Sequence, residues 1–79
     1  MSKEKLLKKA FESATLYGMN MTGDARINEE VITNSMRSYI ARHNEKVSSE
    51  DITSFVKDQA ANVASATRDF RIQTWIMNN

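Results

Sequence analysis

The 79-residue chain contains no proline and only two glycines, Gly18 and Gly23. Proline and glycine are the strongest breakers of helix, so a chain this poor in both is biased towards long helices. The two glycines bracket a single short segment, which marks Met19–Arg26 as a loop. Cysteine is absent too, which removes disulfides and thiolate metal sites from the possibilities.

Hydrophobic periodicity supplies the elements between the breaks. From Lys3 to Tyr17, Leu7, Ala10, Phe11 and Ala14 recur on one face, with Leu6 and Tyr17 at its edges and lysines opposite. A second helix is expected after Asn28, an N-cap type of residue. Glu29 and Glu30 would occupy its first turn, Ile27 would staple to Ile32, and the stripe would run through Ile32, Met36, Tyr39 and Ile40. A third begins at Ser48, three residues before Asp51 in a capping-box spacing, with Val47 stapling to Ile52. Its stripe is Ile52, Phe55 and Val56. The segment Ala60–Thr67 is small and polar, and periodicity alone permits either one long helix or a break there. Phe70, Ile72, Trp75, Ile76 and Met77 then form the most apolar stretch, read as a short fourth helix. The fold class expected is all-α.

Bulk composition narrows function by exclusion. A chain that is 41% hydrophobic and 27% charged is ordinary for a globular domain and too apolar for a disordered one. A net charge of +1 gives no electrostatic reason to expect nucleic acid or an anionic membrane. The four lysines within Met1–Lys9 are not followed by an apolar h-region, so no signal peptide is expected. No apolar run approaches the roughly 18 residues that span a bilayer, and the expected location is the cytosol. No phosphate-binding glycine loop, nucleophile elbow or metalloprotease motif appears. The paired acids Glu29-Glu30 and Glu50-Asp51 sit where first helical turns favour acids anyway, and the lone His43 has no partner ligands for zinc. No enzyme and no cofactor are expected.

The most specific stretch is Asn20-Met-Thr-Gly-Asp-Ala-Arg-Ile-Asn-Glu-Glu-Val31, followed by Ile32 and then Met36-Arg-Ser-Tyr39. In this register the chain resembles a paired EF-hand lobe of the calmodulin superfamily over nearly its whole length. The resemblance implies one lobe across 1–79, with a first helix-loop-helix hand over 1–44 and a second over 45–79. It places Asn20, Thr22, Asp24, Asn28 and Val31 at ligand positions of the first 12-residue loop. It puts Ile27 where two loops pair through a short β-bridge, and a degenerate second loop at Ala60–Arg71 with Thr67 opposite Ile27. Calcium needs six to eight oxygens and concentrated negative charge. Val31 offers no side-chain oxygen, Asp24 is the single anion, and Ala60, Ala64 and Arg71 disable the second loop. Neither loop is expected to bind calcium.

A lobe without its ligands keeps an apolar surface. The resemblance implies a groove of Phe11, Leu16, Met19, Ile32, Met36, Tyr39, Phe55, Val56, Ile72, Trp75 and Ile76, in which adaptable methionines, Met21 and Met77 among them, suit an amphipathic target helix. Calcium-independent gripping of that kind is similar to single-lobe light chains on the IQ motifs of class I myosins. That family implies a basic target helix met by Glu29, Glu30, Glu50, Asp51 and Asp58, and a module that is monomeric when free. Two other classes stay open. Lys3, Lys5, Lys8, Lys9, Arg37, Arg42 and Lys46 could form the basic face of a small DNA-binding or transcriptional regulator. A homodimer could instead close through Phe70–Met77.

Overall fold

The computed structural model describes residues 2–17, 22–43 and 46–78, and these form four α-helices with no strand among them. Helix α1 spans Lys3–Tyr17, α2 Ala25–Arg42, α3 Ser49–Asp58 and α4 Ala60–Asn78. The all-α expectation holds.

Each start has a local cause. The Ser2 carbonyl accepts the Leu6 N–H at 3.0 Å and its hydroxyl accepts the Lys5 N–H at 3.3 Å, satisfying two of the donors that open α1. Ser48 Oγ accepts the Asp51 N–H at 3.1 Å, the N-cap expected for α3. Helix α2 begins four residues earlier than the sequence suggested. Its N-cap is Asp24, whose carboxylate accepts the Arg26 N–H at 2.9 Å, and Asn28 lies inside the helix, fully buried. Ile27 is correspondingly exposed. At the far end His43 caps α2, stacked on Tyr39 with ring centroids 4.3 Å apart and Nδ1 donating to the Tyr39 carbonyl at 2.8 Å.

The segment expected as a second loop, Ala60–Arg71, is helical throughout. Four alanines, Ala60, Ala61, Ala64 and Ala66, give it high intrinsic helicity, and Val63 and Thr67 share a face one turn apart. Only Gln59 separates α3 from α4. Its N–H reaches the Phe55 and Val56 carbonyls at 3.1 Å, and its own carbonyl accepts the Val63 N–H at 3.0 Å. One residue thus ends one helix and begins the next. The β-bridge expected between Ile27 and Thr67 is absent for the same reason: both residues are helical.

Helix α2 is the hub, packed against each of the other three, whereas the backbones of α1 and α4 do not approach one another. The core is Leu6, Leu7, Ala10 and Ala14 from α1, Ile32, Met36 and Ile40 from α2, Ile52 and Val56 from α3, and Val63 from α4. Phe11 and Phe55 meet edge to face at its margin, 5.7 Å apart. Lys3 Nζ sits 3.5 Å from Asp51 Oδ2, an exposed pair of small energetic weight.

Below the apolar core lies one buried polar knot. The side-chain oxygen of Asn28 accepts from the Thr22 N–H at 2.9 Å and the Thr22 hydroxyl at 2.8 Å. Its amide donates to the Thr22 carbonyl at 3.0 Å and to Thr67 Oγ1 at 2.8 Å. Thr67 in turn donates to the Val63 carbonyl at 2.7 Å. The Asn28 amide therefore uses both donors and accepts twice, and no described buried side-chain polar atom lacks a partner. This knot fastens the loop, α2 and α4 at one point.

Two stability measurements check this packing. Met36→Ala, at a position with no exposure, should cost about 2–5 kcal/mol in urea unfolding. Thr67→Val should cost about 1–3 kcal/mol by stranding one Asn28 donor. A double-mutant cycle with Asn28→Ala should return a coupling of at least about 0.5 kcal/mol; additive losses would show that the knot does not bind α4 to α2.

Candidate functional site

The residues implied as a groove do not form one surface. Met36 and Val56 lie in the core of the free chain, with 0% and 3% exposure. Tyr39 and Phe55 are half-buried against that core. Ile72, Trp75 and Ile76 lie on the exposed end of α4, beyond the last buried residue, Thr67. Met19, Met21, Asn20 and the Leu16 side chain lie outside the described residues. Phe11 and Ile32 alone, among the described groove residues, border a common cavity.

That cavity is an apolar cleft of about 210 Å³ between α1 and α4. Phe11 and Thr15 form one wall, Asn62, Val63 and Ala66 the other, and Ile32 of α2 the floor. It exists because α1 and α4 both pack on α2 while the facing side chains of α4 are too small to close the gap. The Thr15 hydroxyl turns back onto its own helix, donating to the Phe11 carbonyl at 3.0 Å. The wall it offers is therefore largely methyl. Asn62 bonds Gln59 on the solvent side of the same helix. A cavity of roughly 150 Å³ lined by aliphatic groups holds benzene, so this cleft has room for one aromatic or branched aliphatic side chain. It is smaller than the roughly 300 Å³ at which drug-sized ligand sites begin.

Sequence reasoning missed Thr15, Asn62, Val63 and Ala66. The available signal was the run of small residues at helical spacing in Ala60–Thr67, which lowers one wall of any bundle that contains it.

A second cleft, about 300 Å³, lies between α2 and α3 and is polar. It gathers Arg26, Arg37 and Lys57 with Glu29 and Glu30, so the two acids expected to meet a basic target already share their surroundings with three cations. Asp51 is paired with Lys3. Glu50 and Asp58 are exposed on α3. The structure does not collect the five acids around the apolar cleft.

Among the described residues given ligand positions in the first loop, the oxygens of Thr22, Asp24 and Asn28 are engaged within the chain. Thr22 Oγ1 donates to Asn28, Asp24 Oδ1 caps Arg26, and Asn28 is committed to Thr22 and Thr67. Val31 lies within α2 and is half-buried. These groups serve as a helix cap and a buried tether. Among the described residues no group of three or more His, Cys, Asp or Glu is placed to hold a metal ion, and no helix is long and apolar enough to cross a membrane. No family model matches the chain, and comparison with curated proteins and with solved structures finds no match.

Proposed function

We propose that this chain is a non-catalytic interaction module that docks an amphipathic helix of a partner protein without calcium. The observation that carries the reading is the apolar cleft between α1 and α4, floored by Ile32 and sized for one large side chain. A helix laid across such a cleft inserts one anchor residue, and buried anchors of that kind dominate helix-in-groove recognition. The commitment of Thr22 and Asn28 to the knot supports independence from calcium, because ligating an ion through them would require breaking the bonds that hold α4.

The particular target implied by the EF-hand resemblance, an IQ motif of a class I myosin heavy chain, is retained as the named candidate. Its support is the residue character of Asn20–Tyr39 alone, because α2 already begins at Ala25, inside the loop that this register requires. The scattered acids lend it none.

Titration of the isotope-labelled chain in chelator with amphipathic helical peptides, an IQ motif among them, tests both levels. Peptide should shift the Ile32, Val63 and Ala66 methyls and the Phe11 ring. Ala66→Trp, which fills the cleft, should weaken binding at least about tenfold. Calcium in millimolar excess should change neither the affinity nor the spectrum. If no peptide moves these resonances, helix docking at the cleft is wrong. If others bind and the IQ peptide does not, the myosin assignment alone falls.

A further inference from the structure

The apolar cleft between α1 and α4 has a charged neighbour. Phe11, on its wall, meets Phe55 edge to face with ring centroids 5.7 Å apart. Phe55 in turn lines an open pocket of about 410 Å³ whose other walls are Ser2, Glu4, Lys5 and Lys8 of α1. One aromatic pair thus separates an apolar cleft from a pocket that carries two lysines and one glutamate. Lys8 precedes Thr15 by two helical turns to within about 20°. It therefore lies on the same strip of α1 as the cleft wall, about 10 Å nearer the N-terminus.

The positive charge of this pocket is not consumed within the chain. Lys3 is paired with Asp51, but among the described residues neither Lys5 nor Lys8 forms an ion pair. Both are exposed. Glu4 lies one turn from Lys8 and is not bonded to it, so the lining keeps an excess of one positive charge. A helix that seats its anchor in the cleft and runs along α1 passes its neighbouring turns over Lys8 and Lys5. A carboxylate on those turns meets opposite charge, whereas a lysine or arginine there is repelled.

We infer that the partner helix is acidic beside its anchor: an apolar residue enters the α1–α4 cleft, and a Glu or Asp one to two turns away on the same face meets Lys8 and Lys5. The inference rests on helix docking at the cleft, as proposed above. It gives the target a charge opposite to that of the basic helix implied by the EF-hand resemblance.

Two synthetic amphipathic helices with one phenylalanine anchor test it. They are identical except for glutamates or lysines one and two turns to either side of the anchor, and are titrated into the labelled full chain in chelator at low ionic strength. Both should shift the Ile32 and Val63 methyls, and the glutamate peptide should bind at least about fivefold more tightly. The difference should shrink as salt is raised. Lys8→Glu should remove the preference. Lys9→Glu makes the same change in net charge on the face of α1 opposite Phe11, and should keep it. Equal affinities, with both peptides moving the cleft methyls, overturn the acidic partner and leave helix docking standing. So does a preference that survives Lys8→Glu. Cleft methyls indifferent to both peptides overturn helix docking, and the acidic partner with it. Shifts with phosphatidylserine vesicles alone would do the same and assign the lysines to a lipid surface.

Discussion

Asn28 is the point on which the arrangement of α4 depends. A primary amide buried without partners would cost several kilocalories per mole, so the fold tolerates it only because Thr22 and Thr67 use its donors and acceptor together. The apolar contribution of α4 to the core is a single fully buried side chain, Val63. Hydrophobic burial alone would leave the azimuth of that helix poorly fixed. The Asn28–Thr67 hydrogen bond fixes it, since Thr67 reaches Asn28 in one rotation of α4 only. Directional bonding here does what interdigitated side chains do between α1 and α2.

The exposed apolar surfaces follow from that arrangement. Once α4 is pinned to α2 near Val63 and Thr67, Asn62 and Ala66 border a gap towards α1, and Ile32 is left as the floor. The same rotation sends Ile72 and Ile76 to the outer side. A helix with such weak amphipathicity presents apolar atoms in two directions, and the bundle consumes only part of them. The cleft and the tail are thus two results of one geometric choice.

Much of the first three helices was legible because their apolar residues repeat at helical spacing. Leu7, Ala10 and Ala14, then Ile32, Met36 and Ile40, then Ile52 and Val56 fall on apolar stripes and are buried. The Ser48 cap was legible too, since its partner lies three residues away. The start of α2 and the role of Asn28 were not. An asparagine before two glutamates has the local chemistry of an N-cap, and the group that instead determines its fate, Thr67, is 39 residues distant. The run Ala60–Thr67 was ambiguous because alanine and serine carry no hydrophobic period. Intrinsic helicity decided it, and the 12-residue second loop disappeared. What the sequence pattern did not separate was core from groove: Met36 and Val56 have the character of either, and only packing assigns them.

The division of α4 into an anchored first half and an unburied second half also bears on how strongly anything can bind its end. A helix shorter than about 12–15 residues is marginal in water, and no described side chain after Thr67 is fully buried in the bundle. The ordering of that segment is therefore thermodynamically linked to whatever its side chains contact, and any fraying reduces the strength of such a contact by the helical fraction. Gly23 lies against the aliphatic stem of Arg71, where an added Cβ would come within 3.3 Å of Cγ. Gly23 thereby touches α4 at the boundary between the two halves. A side chain added at Gly23 would press on Arg71 and so bear on the ordering of the end of α4 from outside that helix.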